Sequence, residues 1–327
     1  MAIAGAKSGE AAGSGKRAAR VQRALGRWFR VHQRDLPWRR TKDPYRILVS
    51  EIMLQQTQVD RVIPKYREFL RRFPNVRALA RASPRDVLLA WAGMGYNRRA
   101  LYLLRSARDV LRKFGGTVPL DPSKLKTLPG VGRYTAAAVA TFAGKTPYAL
   151  ADTNVRRVIG RIFGGHPLPK RFRSDDGMLE LVGQTMPRRT VDGLHPSLWG
   201  HLLMDFGAFV CRARPLCGEC PVRSFCLAYP RIVSARQPAK KRSSVWDTKS
   251  GPSVPDRVLR GKILAVVRDH DPRSVSVGVL HPLFPDQSSV TLSRLLRGLM
   301  SDGLLAFTGA RSVRLPRSLP AGNGKGA

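Results

Sequence analysis

The sequence predicts a mainly α-helical chain that ends in a small winged-helix-like module, and three observations lead to it. From about residue 19 to 228, apolar residues recur at helical spacing, as in Val59, Val62, Ile63, Tyr66, Phe69 and Leu70. Runs that alternate apolar with polar residues are scarce there, which argues against a sheet-based core. After residue 256, two helical faces are followed by a short hairpin pattern.

Residues 1–18 are small, polar and glycine-rich, and are expected to be disordered. The first helix is expected from about Arg20, where Val21, Leu25, Trp28, Phe29 and Val31 mark one face. Phe73-Pro74, Gly115-Gly116, Pro119 and Gly164-Gly165 punctuate the segments that follow. Residues 229–255 are rich in Ser, Pro, Lys and Arg without periodicity, the composition of a basic linker able to touch phosphates. In 256–316, Leu259, Ile263, Val266 and Val267 line one helix, and Leu292, Leu295, Leu296, Leu299 and Met300 line another. Gly303 stands where the second helix would end, and two short strands follow around Gly309. Residues 317–327 read as a disordered tail. The expected domains are therefore 19–228 and 256–316.

Lys and Arg number 58 against 22 Asp and Glu, a formal charge of +36. Such a field attracts polyanions but says nothing about fold; DNA, RNA and a membrane surface all fit it. No run approaches the roughly 18–20 apolar residues of a membrane span. The N-terminal residues lack the apolar stretch of a secretory signal. No heptad pattern is visible, and a monomer is expected.

All four cysteines lie between 211 and 226. A disulfide-stapled secreted protein would spread them, so the cluster argues for a metal site. The arrangement Cys211-x5-Cys217-x2-Cys220-x5-Cys226 suits a [4Fe–4S] cluster and a four-cysteine zinc ion alike.

The stretch from Leu125 to Val139, LKTLPGVGRYTAAAV, ends one helix, turns at Gly130 and Gly132, and begins a helix of small residues. Glycine permits positive φ and close backbone approach. The free amides of the second helix then make an anion site. This is a helix-hairpin-helix pattern that grips one DNA phosphate without reading sequence, with Gly130, Gly132 and Arg133 at the contact. Twenty residues beyond Gly132 lies Asp152, in Ala151-Asp152-Thr153-Asn154-Val155. Taken alone, that aspartate is a helix N-cap.

Hairpin and aspartate in this order resemble the helix-hairpin-helix–Gly/Pro…Asp superfamily of DNA glycosylases. Leu203-Met204-Asp205-Phe206-Gly207-Ala208 before the cysteines, and Pro221 within them, resemble the cluster loop of the endonuclease III and MutY families. The first cysteine spacing departs from it, with five residues where six are usual. Two further stretches narrow the resemblance to the adenine DNA glycosylase (MutY) family: Ser50-Glu51-Ile52-Met53-Leu54-Gln55-Gln56-Thr57, and Gly93-Met94-Gly95-Tyr96-Asn97-Arg98. The resemblance covers about residues 20–228.

It implies two helical lobes with a DNA cleft between them and a [4Fe–4S] cluster on Cys211, Cys217, Cys220 and Cys226. It implies duplex DNA carrying A:8-oxoguanine or A:G mispairs as partner, and a cytoplasmic, nucleoid-associated location in a prokaryotic source. By resemblance, Glu51 protonates adenine N7 while ionised Asp152 stabilises the cationic sugar, two carboxyls in two roles. Tyr134 and Asn154 would orient these carboxyls. Gln56 would enter the base stack, Tyr96 would intercalate beside the damaged guanine, and Trp38 and Arg39 would line the adenine pocket. The bifunctional lyases carry a lysine where this chain has Tyr134, and Schiff-base chemistry needs an amine, so a monofunctional enzyme is expected. Two other readings stay open: a thymine or uracil glycosylase acting on G mismatches, and a non-catalytic DNA-binding protein. Residues 256–316 are too short and too poor in strands for the Nudix-like domain that MutY proteins often carry, so discrimination of 8-oxoguanine from guanine is expected to be weaker.

Overall fold

The computed structural model describes residues 5–168, 174–234, 254–285, 287–309 and 311–319. In chain order its longer elements are α1 (Gly5–His32), α2 (Pro44–Leu54), α3 (Val59–Arg72), α4 (Val76–Arg81), α5 (Pro84–Ala90), α6 (Arg98–Phe114), α7 (Pro122–Leu125), α8 (Arg133–Gly144), α9 (Thr153–Ile162), α10 (Asp175–Thr185), α11 (Trp199–Phe209), α12 (Tyr229–Ser234) and α13 (Asp256–Asp269). The strand β1 (Val275–Ser276), α14 (Val277–Leu280), α15 (Ser289–Ser301), β2 (Ala306–Phe307) and β3 (Ser312–Arg314) complete them.

Local sequence explains the helix boundaries. Asp43-Pro44, Ser83-Pro84 and Asp121-Pro122 open α2, α5 and α7: the first side chain accepts a free backbone N–H, and the proline presets φ for the first turn. At the end of α15, Gly303 adopts φ +72°. The Gly303 and Leu304 N–H groups then donate back to Met300 and Leu299 at 2.8 and 2.9 Å, a Schellman closure.

Three sequence expectations change. Residues 5–18, expected as part of a disordered tail, are the first turns of α1. Ala6, Ala11, Ala12 and Ala18 are strong helix formers and offset the glycines between them. The stretch 229–255, expected to be a linker throughout, begins with α12; residues 235–253 of it lie outside the described residues. The C-terminal module contains not two strands but a three-stranded antiparallel sheet, in order β1-β3-β2. Val275 pairs with Val313 and Phe307 with Val313. A two-residue strand leaves no alternation to read, so β1 is invisible to periodicity.

The chain divides into two compact units, Met1–Lys42 with Arg133–Lys241, and Asp43–Gly132 with Arg242–Ala327. In the first, Leu25 and Phe29 of α1, Val158 and Ile159 of α9, and Leu202 and Phe206 of α11 share one core. Each such side chain contributes roughly 1.5–3 kcal/mol on burial. In the second, Leu48 and Ile52 of α2, Phe69 of α3, Leu79 of α4 and Leu104 of α6 are buried.

The C-terminal module belongs to this second unit, and polar contacts tie it there. Arg85 of α5 donates through Nε to Asp271 at 2.9 Å. Arg268 of α13 donates to the Asn97 side-chain oxygen. Asp302 takes both Arg260 of α13 and Arg98 of α6. Among the described residues no helix is long and apolar enough to cross a membrane.

Candidate active site

In the first unit, Asp152 caps α9. One carboxylate oxygen accepts the Val155 N–H at 2.7 Å, and the other accepts Asn154 Nδ2 at 3.0 Å. Asn154 is itself held, because Arg157 Nη2 donates to its Oδ1 at 2.7 Å. The same Nη2 donates to the Gly207 carbonyl at 2.7 Å, and Arg157 Nε donates to the Cys211 carbonyl at 2.7 Å. Gly207 is required here, since a Cβ on it would stand 2.8 Å from Asn154 Cβ. One turn further along α9, Arg161 is buried and donates to the Arg212 and Ala213 carbonyls. Helix α9 therefore carries the carboxylate at its start and grips the cysteine segment along its length. Tyr134, at the start of α8, directs its hydroxyl toward Met204 Sδ at 3.9 Å.

The four thiols line one pocket with Arg161, Ile162, Phe206, Val210 and Leu216. No carboxylate or imidazole joins them there. None of the four is in a disulfide. Burial, with the neighbouring thiols adding to it, pushes Cys217 and Cys226 above the usual thiol range, and Cys220 up to about 12. Among the described residues no three His, Cys, Asp or Glu side chains converge closely enough to hold one metal ion. The soft all-sulfur donor set, among mostly apolar neighbours with Arg161 and Arg223 beside it, fits a thiolate-ligated iron–sulfur group.

The same unit holds Trp38 and Arg39. Trp38 is buried. Arg39 grips Asp205 of α11 with both terminal nitrogens, at 2.6 and 3.0 Å. Arg34 adds a further bond to that carboxylate at 2.6 Å. Asp205 is wholly buried, and Arg34 and Arg39 share its one negative charge. Burial and the nearby Arg39, Lys42 and Arg34 charges drive His201 well below the ordinary histidine range, so it stays neutral, stacked on Phe142 at 3.7 Å. Arg133 pairs with Asp176 on the surface, where such a pair contributes little.

In the second unit, Glu51 is buried on α2. Gln56 and Tyr96 sit in loops with φ of +55° and +45°. A positive φ is rare for such side chains and marks loops held in place by their surroundings. The holding group is Arg99. It donates to the Ile52 and Met53 carbonyls at 3.0 Å, to the Gln55 carbonyl, and to Thr57 Oγ1 at 3.0 Å. It also donates to the Met94 and Gly95 carbonyls at 3.3 Å, and its guanidinium lies over the Trp91 and Tyr96 rings. Burial lowers its pKa to about 10, which leaves it cationic at neutral pH. One side chain thus fastens the end of the Glu51 helix, the Gln56 turn and the Tyr96 turn together. Tyr96 itself is 52% exposed.

The hairpin turn relies on its two glycines differently. Gly130 has φ +76°, and a Cβ there would meet Tyr102 Cβ at 2.8 Å. Gly132 needs no positive φ, and a Cβ on it would point into open space. Ser106 Oγ donates to the Pro129 carbonyl at 2.7 Å and fixes the turn.

Arg99 and Arg157, which hold the segments around the candidate residues, are missed by sequence reasoning. The only available signal is local: Arg157 and Arg161 stand four apart on the helix that follows Asp152.

Residues 49–178 match the family model described as the HhH-GPD superfamily of base excision DNA repair proteins. An adenine DNA glycosylase of Mycolicibacterium smegmatis is 41% identical over 245 residues, which span 74% of this chain and 78% of that protein. A thymine-DNA glycosylase of Aeropyrum pernix is 36% identical over 212 residues, covering 64% of this chain and 94% of that protein. A solved thermostable thymine-DNA glycosylase superposes with a TM-score of 0.60 at 31% identity, over 66% of this chain and 98% of that one.

Proposed function

Because the chain belongs to the adenine DNA glycosylases of the HhH-GPD superfamily, we propose that it removes adenine mispaired with 8-oxoguanine or guanine in duplex DNA and leaves the strand uncut. The observation that carries this reading is the fixed carboxylate of Asp152, with an oxygen on Val155 N–H and an oxygen on Asn154 Nδ2. A carboxylate that cannot reorient stabilises positive charge developing at C1′ without reorganising during the reaction.

The proposed sequence begins with a flipped adenine. Glu51 donates its proton to N7, the C1′–N9 bond breaks, and neutral adenine leaves. Asp152 stabilises the cationic sugar. Water adds at C1′ and its proton returns to the Glu51 carboxylate, giving an abasic site. Tyr134 has no amine to form a Schiff base. Gln56 enters the base stack, Tyr96 intercalates beside the damaged guanine, and the hairpin amides near Gly130 and Gly132 hold a phosphate. The protein acts as a monomer on chromosomal DNA.

The residues Cys211, Cys217, Cys220 and Cys226 would hold a [4Fe–4S] cluster. Bound there, it would cross-link the loop whose Cys211 carbonyl anchors Arg157. Purified protein is expected to be brown, with about four iron atoms per chain. A colourless protein with stoichiometric zinc overturns this assignment.

Single-turnover assays on an A:8-oxoguanine duplex, quenched with and without alkali, test the activity. Adenine release with strand breakage only after alkali is expected. The thymine-DNA glycosylase likeness supports a second reading, and release of A, T and U opposite G in otherwise identical duplexes separates the two. Preferred T or U release would sink the adenine assignment. Absence of any base release would favour a non-catalytic DNA-binding protein.

A further inference from the structure

The second unit contains a groove of about 1000 Å³. One side carries Gln56, Tyr96 and Arg61, and the other carries Arg257, Arg260 and Gly261 of α13. The C-terminal module therefore shares a wall with the two loops that Arg99 holds.

The groove is strongly cationic. Arg61, Arg98, Arg99, Arg257 and Arg260 line it against a single carboxylate, Asp302, which Arg98 and Arg260 already share. Arg257 is exposed, stands at the start of α13, and among the described residues has no ion-pair partner. Gly261 supplies an independent observation. It sits inside α13, where glycine costs a helix roughly 1 kcal/mol relative to alanine. Packing does not require it: a Cβ built there meets no atom within 4 Å beyond the helix's own backbone. The missing side chain instead leaves α13 bare on its groove side, open to close approach by another backbone.

Resting on the glycosylase reading above, we propose that α13 of the C-terminal module is a DNA-binding element. Arg257 takes a phosphate, and the bare surface at Gly261 lets the sugar-phosphate backbone of the strand beside Tyr96 and Gln56 lie against the helix. The contact carries no base information, so it adds affinity and register rather than specificity. The module thereby joins the duplex-binding surface.

Charge at one open position tests this. Gly261→Lys and Gly261→Glu in the full chain both improve helix propensity and meet no packing obstacle. Affinity for a duplex with a non-cleavable adenine analogue opposite 8-oxoguanine is measured across a salt series. Gly261→Lys is expected to tighten binding and Gly261→Glu to weaken it. Arg257→Ala is expected to lower the slope of log Kd against log salt by about one. Arg297→Ala, an exposed arginine of the same module outside the groove, removes equal charge and is expected to leave that slope nearly unchanged. Equal affinities for the two Gly261 variants, or equal effects of Arg257→Ala and Arg297→Ala, would overturn the proposal. Wild-type adenine release in the same preparation is the separate readout: its loss strikes at the glycosylase reading, whereas the binding comparison strikes at α13.

Discussion

Asp152→Asn is expected to slow single-turnover adenine release by at least about 10²-fold while leaving the thermal midpoint close to that of the parent protein. The two halves of this expectation have different physical origins. As a helix cap, asparagine is about as good as aspartate, so the Val155 N–H at 2.7 Å keeps an acceptor and α9 keeps its start, while the bond from Asn154 Nδ2 loses its acceptor at a cost of about 1 kcal/mol. As an electrostatic group, asparagine lacks the negative charge that the developing sugar cation needs. Asp152→Ala removes both properties, and should add to the same rate loss a further stability loss of about 1 kcal/mol. Release by Asp152→Asn at the parental rate would reduce Asp152 to a cap, the bland role that its sequence position also allows.

The geometry around that carboxylate ties it to the cysteine segment of the same unit. Arg157 links the Cys211 and Gly207 carbonyls to Asn154, and Asn154 links to Asp152. Each bond in the chain involves a charged partner or a backbone carbonyl, and such bonds hold direction well. A loop fixed by its cysteines would therefore fix the carboxylate at one remove.

Motifs proved legible where backbone geometry restricts residue choice. Gly130 has to be glycine because φ is +76° and Tyr102 leaves no room for a Cβ. Asp152 reads as a cap and is one. Of the two helical faces read in 256–316, Leu259, Ile263, Val267, Leu292, Leu295, Leu296 and Leu299 are buried, and Val266 and Met300 are partly buried at their edges. Arginines were the illegible part. In a chain with 58 basic residues each looks like a phosphate contact. Yet Arg39, Arg99, Arg157 and Arg161 direct their guanidinium groups at buried carbonyls and carboxylates. Which arginine turns inward depends on tertiary neighbours that lie 44 to 47 residues away for Arg99 and 166 for Arg39. Periodicity within one helix carries no such information. The inward arginines still count toward the formal charge of +36, but their hydrogen-bonding nitrogens are already taken, so direct phosphate contacts fall to free cations such as Arg257.

The inward arginines also place the largest stability effect, at Asp205. Asp205→Asn is expected to lower unfolding free energy by about 3–5 kcal/mol, a large share of the roughly 5–15 kcal/mol that holds a folded chain together. The carboxylate has no solvent exposure, and it accepts the Arg34 backbone N–H at 3.1 Å as well as bonds from both guanidinium groups. Asparagine keeps the shape but offers one acceptor oxygen where two serve now, and it leaves two partly buried cations without a counter-charge. Pairing Asp205→Asn with Arg39→Gln tests the cause. If uncompensated charge is responsible, the double variant should be more stable than the sum of the single losses predicts, because the second change removes one of the stranded cations. Urea unfolding of the four proteins measures the cycle. Additive losses, or an Asp205→Asn cost below about 1 kcal/mol, the scale of an exposed pair, would mean that Arg34 and Arg39 find other partners and that Asp205 is not the post to which they are tied.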